Sequence, residues 1–300
     1  MNLRMHTIKN NILQVSVKEI GAELCSIKSL GSRKEYIWKG SPDVWAAHAP
    51  NLFPVIGCLK NDAFLYKGQE YSCAKHGFVR KNNKVSLIEK SDDSLTFGLK
   101  YSEDTLKIYP FKFEFFIKYI LENNKLIVQH TVINHGDDDM LFSLGGHPGF
   151  TCPIHDGEKY DDYYLEFEKP ETAHSWRVLK NGLIGKETIP VFDEPTIIKL
   201  HPHLFDDDAL VFKNLNSSRV SLKSNSSKQV LSMDFEDFPN LGIWAKPHAD
   251  FVCIEPWIGI ADSVDTDRNF ETKEGLIRLQ ANKSFVATYS ITVDEAKNSL

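Results

Sequence analysis

Apolar and polar residues alternate with a period of two along much of this chain. Phe113, Phe115, Ile117 and Tyr119 oppose Glu114 and Lys118, and after Asn123-Asn124 the residues Leu126, Val128, His130 and Val132 resume the same beat. Successive side chains of a strand point to opposite faces, so this pattern predicts a hairpin with one buried face, turning at the asparagine pair. Three further runs predict strands: Leu95 to Tyr101, Leu231 to Phe235, and Phe285 to Val293. Turn-forming residues punctuate them at Asp92-Asp93, Asn134-His135-Gly136, Asn181-Gly182 and Asn214 to Ser218. No helical period is sustained over three turns. Many short strands with frequent turns predict an all-β protein, an antiparallel β-sandwich or barrel.

One segment breaks the alternation. Phe251-Val252-Cys253-Ile254-Glu255-Pro256-Trp257 is apolar on both faces yet carries a carboxylate. Burying that charge is costly unless it is paired or hydrogen-bonded, and burial raises its pKa towards that of a base useful near neutrality. The plain alternative is an edge carboxylate paired with a Lys or Arg. Pro256 disfavours the helical region at Glu255 and predicts an extended residue there. His147 sits among Gly145, Gly146 and Gly149 and before Pro148, where glycines let backbone approach a ligand closely. His76 lies in the turn Lys75-His76-Gly77-Phe78, with Arg80 close behind as a ligand-binding cation or a surface charge. One glutamate and two histidines at apolar-flanked turns point to general acid–base chemistry on a small polar molecule.

Other candidates are less specific. Asp206-Asp207-Asp208 precedes the apolar run Ala209 to Phe212 and reads as a carboxylate at a strand mouth or as a solvated acidic turn. His201-Pro202-His203 and His248-Ala249-Asp250 have metal-like spacing, but Pro202 predicts a loop and a third ligand must come from upstream. Trp38, Trp45, Trp244 and Trp257 read as core, or as faces on which a sugar ring can lie.

Bulk properties narrow the classes. With 300 residues, 42% apolar and 25% charged, the chain has the composition of a globular protein, and residues 1–300 read as one large domain. A net charge of −6 without any Lys/Arg block gives nucleic-acid binding no electrostatic support. No run is long enough to span a bilayer, and residues 1–6 lack the apolar core of a secretion signal. Cys25, Cys58, Cys73, Cys152 and Cys253 are odd in number and never spaced as CxxC, which reads as reduced thiols in a cytoplasmic protein.

Six segments, in order, resemble the aldose 1-epimerase (galactose mutarotase) family, most closely its LacX-like bacterial branch. They are Gly21 to Leu24, Glu35 to Trp38, Ala49-Pro50-Asn51-Leu52-Phe53-Pro54, His76-Gly77-Phe78, Gly145 to Phe150, and Cys253 to Trp257. The resemblance implies a single large antiparallel supersandwich with a cleft across one sheet. It implies Glu255 as catalytic base, His147 as acid and His76 as supporting histidine. Asp208, or Asp207, would hold sugar hydroxyls. The reaction implied is interconversion of the α and β anomers of an aldose, without metal or other cofactor, by a monomer or homodimer whose partner is a small sugar.

This sequence departs from the family at Cys58, where an arginine often contacts the sugar; Lys60 is one residue too far along to replace it, and Arg80 is the candidate substitute. That loss keeps a non-catalytic sugar-binding protein open as an alternative. A mutarotase for phosphorylated hexoses is a second alternative, with Lys246, Arg80 and Lys75 as phosphate-binding candidates. A metal enzyme using His76, His147 and Glu255 as ligands is a third.

Overall fold

A computed structural model of the chain describes residues 4–226 and 228–294. The predicted hairpin forms as Phe113–Glu122 and Lys125–Asn134, paired antiparallel around Asn123-Asn124. It lies within a nine-stranded sheet. From edge to edge this sheet runs Ile197–Lys199, Tyr163–Phe167, Arg219–Ser224, Lys228–Asp234, Ser284–Val293, Lys125–Asn134, Phe113–Glu122, Ser94–Lys100 and Ser86–Lys90. The period-two pattern is borne out at Phe113 to Leu121, where every odd residue is buried.

A second, eight-stranded sheet packs against it. Its path is Ile184–Ile189, Ser175–Val178, Leu210–Lys213, Asn240–Trp244, Phe251–Ile258, Leu144–Gly146 and Asn51–Leu52, and Gly149–Thr151 also pairs with Phe251–Ile258. Contacts between the sheets are aromatic and dense: Phe53 stacks on Phe115 with centroids 4.6 Å apart, and a Cβ on Gly146 would lie 2.7 Å from the Tyr289 hydroxyl. A polar knot pins the two together. The His130 Nε2–H donates to Asn51 Oδ1 at 3.0 Å, and Asn51 Nδ2 donates to Ala22 O and to Tyr119 Oη.

A three-stranded sheet, Met5–Lys9, Leu13–Lys18 and Glu23–Ser29, covers one end. At its last strand the buried Glu23 carboxylate accepts the backbone N–H groups of His48 and Ala49 and pairs with Lys18. Among the described residues the α-helical content is one turn, Glu103–Leu106, capped by Ser102. The architecture is thus a large antiparallel β-sandwich. No helix among the described residues is long and apolar enough to cross a membrane. All five cysteines are free.

Candidate active site

The strand Phe251–Ile258 is buried along its whole length, because its two faces have different cover. Alternation puts Val252, Ile254 and Ile258 towards the space between the sheets, and Phe251, Cys253, Glu255 and Trp257 towards the opposite side. Glu255 is extended, as Pro256 predicts. On one flank Gly145 pairs with Trp257 and Gly149 with Cys253. Carrying that register across the break at His147-Pro148 sets His147 opposite Glu255. Their side chains meet there, with His147 Nε2 3.2 Å from Glu255 Oε2. The imidazole is clasped by aromatic rings: it stacks on Trp45 at 5.1 Å and meets Trp244 edge-on at 5.9 Å. Gly149 is required for this, since a Cβ there would lie 2.8 Å from the Trp45 ring.

His76 reaches the same place from a different loop. Its backbone is left-handed, with φ of 64°, followed by Gly77 at 72°. A Cβ at Gly77 would fall 2.0 Å from Phe53 O, so no other residue fits without moving backbone. Two hydrogen bonds lock His76 to Gly57: its N–H donates to Gly57 O, and the Gly57 N–H donates to His76 Nδ1 at 3.1 Å. An Nδ1 that accepts places the proton of the neutral ring on Nε2. The ring stands edge-on to His147 at 5.5 Å.

These groups form the floor of a cleft of about 240 Å³, lined also by Lys75, Arg80, Asp208, Trp45, Trp244 and Trp257. Three buried polar atoms at this floor lack a hydrogen-bond partner among the described residues: His147 Nδ1, Glu255 Oε2 and Trp257 Nε1. Buried polar groups are normally satisfied, and this concentration of exceptions marks where a polar ligand would supply the missing bonds.

The aspartate triplet resolves by orientation. Asp206 bonds His203 at 2.9 Å and Asp207 lies 3.7 Å from Arg177, whereas Asp208 lines the cleft, with a φ of 91° and Oδ1 accepting the Ala209 N–H. Arg80, on the short 3-10 turn Val79–Lys81, is half-buried at the cleft wall.

Lys246 does not join them. The strand ends at Trp244, the chain turns through Pro247 and His248, and Lys246 instead borders a separate hollow with Tyr160, His201 and His248. Lys246, named from the sequence as a phosphate-binding candidate, therefore lies apart from the cleft, because the strand that carries Trp244 ends before it. His203 and His248 do meet, 5.1 Å apart, yet their ligand atoms do not converge with Asp250 into a metal-binding group. Cys58 flanks the cleft rather than lining it, pressed against Gly182. Lys60 points away, its ammonium donating to Val264 O and Thr266 O. Trp45, read from the sequence as core or a sugar-ring face, and Lys75, a phosphate-binding candidate, both line the cleft; Val178, Ile184 and Ala261 line it too, and their apolar side chains carried no signal of placement.

Burial governs the electrostatics. It pushes the Glu255 carboxyl well above the usual range; Lys75 opposes and Asp208 reinforces the shift. It pushes His147 down to about 3, and His76 well below the ordinary imidazole value with His147, Lys75 and Arg80 adding to it. In the Glu255–His147 pair burial therefore favours the carboxyl and the neutral imidazole, with the proton on Glu255. At 3.2 Å that proton can cross to give carboxylate and imidazolium, and the total count does not change.

An antiparallel sandwich with a carboxyl–imidazole pair at the floor of an aromatic-walled cleft defines a galactose mutarotase-like protein. The chain belongs to the aldose 1-epimerase family, whose model matches residues 4–273. It is 33% identical over 295 residues to the plasmid-encoded protein LacX of Lactococcus lactis subsp. lactis, covering 95% of this chain and 98% of that protein. The structure is similar to a galactose mutarotase related enzyme from Lactobacillus acidophilus, with a TM-score of 0.91, 38% identity, and coverage of 98% of this chain and 99% of that one. It is also similar to a galactose mutarotase-like protein from Lactobacillus casei, with a TM-score of 0.89, 30% identity, and coverage of 97% and 100%. Membership makes the protein an isomerase of the mutarotase type with a small sugar as its substrate.

Proposed function

We propose that the protein interconverts the α and β anomers of an aldose, with Glu255 as base, His147 as acid and the His76 Nε2–H as the donor that orients the sugar. The opposition of Glu255 and His147 across paired strands carries this reading. With the pair as carboxylate and imidazolium, Glu255 takes the proton of the C1 hydroxyl while His147 protonates the ring oxygen, and the C1–O5 bond breaks. The pair is then carboxyl and neutral imidazole, the state that burial favours. The aldehyde turns about C1–C2 and the ring recloses with both protons returning. Protein protons balance over the cycle. Trp257 offers a face and an indole N–H, Asp208 accepts from sugar hydroxyls, and Arg80 stands in for the arginine displaced by Cys58.

Two-dimensional exchange NMR on a panel of aldoses tests this. Wild type should accelerate anomer exchange of at least one sugar, and Glu255→Gln should remove about 10²–10⁴-fold of that rate while staying folded. A folded Glu255→Gln with near-normal exchange would refute the assignment.

A second reading has its own support. Lys75 and Arg80 line the cleft without an ion-pair partner among the described residues, which favours a sugar carrying an anionic group such as a phosphate. Lys75→Gln should then weaken exchange of an aldose phosphate by about tenfold and leave the neutral aldose alone; equal effects on both would remove this reading.

A further inference from the structure

The mechanism above uses Glu255 and His147 but leaves idle a third group beside them, the thiol of Cys253. Alternation sets Cys253 on the same face as Glu255, two residues away, and it is fully buried. One ligand atom from each of His147, Cys253 and Glu255 lies within 4.8 Å of the others, and no other trio of His, Cys, Asp or Glu among the described residues comes together in this way. The carboxylate oxygen that faces His147 has no hydrogen-bond partner among the described residues.

From this juxtaposition we infer that His147 Nε2, Cys253 Sγ and a Glu255 carboxylate oxygen form a binding site for a zinc-type divalent cation, which occupies the cleft floor in place of the sugar. The donor set is an imidazole, a thiolate and a carboxylate. Nitrogen and sulfur donors select zinc, cobalt or copper over magnesium or calcium. Three protein ligands leave a fourth tetrahedral position open to the cleft. Zinc–ligand bonds of about 2.0–2.3 Å place tetrahedral ligand atoms roughly 3.3–3.8 Å apart. The 3.2 Å gap between His147 and Glu255 is already close to that value. Closing on Cys253, buried directly beneath the His147 and Glu255 side chains that line the cleft, asks about 1 Å of side-chain rotation from the 4.8 Å within which the three ligand atoms already lie. Binding displaces the thiol proton and the carboxyl proton to solvent through the cleft, so affinity falls as pH falls. The metal and the sugar claim the same two side chains, so the cation acts as an inhibitor that competes with substrate.

The test reads the metal itself and stands apart from turnover. Cobalt(II) alone is titrated into the purified full chain. The expected result is a near-ultraviolet thiolate-to-cobalt charge-transfer band with the strong visible bands of a four-coordinate site, bleached when zinc is added. Cys253→Ser and Cys253→Ala should lose the charge-transfer band and bind zinc at least about tenfold more weakly, with wild-type circular dichroism. Cys58→Ser, at the half-buried thiol on the cleft margin, should keep the band. His147→Gln serves the same purpose should either Cys253 variant fold poorly, and it too should lose four-coordinate cobalt. Absence of the band in wild type overturns the proposal. So does a band that survives Cys253→Ser or disappears in Cys58→Ser.

Discussion

His76 shows how much a single position can be asked to do. It must adopt a left-handed backbone, accept the Gly57 N–H through Nδ1 and present Nε2–H to the cleft. Asparagine tolerates the left-handed region and its Oδ1 can accept the same bond, but it has no donor that reaches as far. His76→Asn should therefore melt within a few degrees of wild type and lose about 10²–10³-fold in kcat for anomer exchange, as removal of one fixed donor does. Unchanged kcat in that variant would make His76 structural only. Glu255, His147 and His76 were legible in the sequence because each breaks a local rule: a carboxylate in an apolar strand, and histidines wedged among glycines. The place of Lys246 was not legible, because nothing in the sequence announces that the strand ends at Trp244. The stacking of Trp45 on His147 was not legible, because it depends on the absence of a side chain at Gly149, far along the chain.

Strands bring Glu255 and His147 together, and a loop fixed by a buried ion pair supports His76. Lys273 and Asp262 meet at 2.8 Å with side chains 5% and 3% exposed. Asp262 also accepts the Lys60 N–H and donates its own N–H to Cys58 O, while Lys273 donates to Ile260 O. The segment 57–60 that presents Gly57 to His76 is thereby tied to the segment 260–262. Removing one partner strands the other charge in the interior, which costs about 3–5 kcal/mol. Lys273→Met should lower the urea midpoint accordingly, and the double variant Lys273→Met, Asp262→Leu should recover part of the loss. A single variant within about 1 kcal/mol of wild type would show that water replaces the partner. The long strands, Phe113–Glu122, Lys125–Asn134 and Ser284–Val293, were legible because one face of each is buried and the other is not. The two- and three-residue strands at Asn51–Leu52, Leu144–Gly146 and Gly149–Thr151 were not. They are too short for a period: Leu144–Gly146 and Gly149–Thr151 form on the edge that Phe251–Ile258 offers, and Asn51–Leu52 on the edge of Leu144–Gly146.

At the scale of the whole molecule, three imidazoles are buried neutral: His76, His130 and His147. Burial pushes His130 and His147 down to about 3, and His76 well below its ordinary value. Their folded pKa values are depressed, so the unfolded chain binds protons that the folded chain refuses. Their stabilising contribution is complete above about 6.5 and declines as pH falls from there towards about 3. Glu255 offsets one of the three. Burial raises its pKa, so the folded chain favours a proton on Glu255 where the unfolded chain places one on His147 in mild acid. His76 and His130 remain, and each costs about 1.4 kcal/mol per pH unit below its unfolded value. Urea unfolding should therefore show a loss of roughly 3 kcal/mol between pH 6.5 and pH 5, a range where carboxylates of ordinary pKa are still ionised. His130→Gln keeps a donor for Asn51 Oδ1 and carries no titrating group, so it should halve that slope without touching the cleft. A flat profile in wild type, or an unaltered slope in His130→Gln, would mean that the sandwich opens to solvent around these rings before it unfolds.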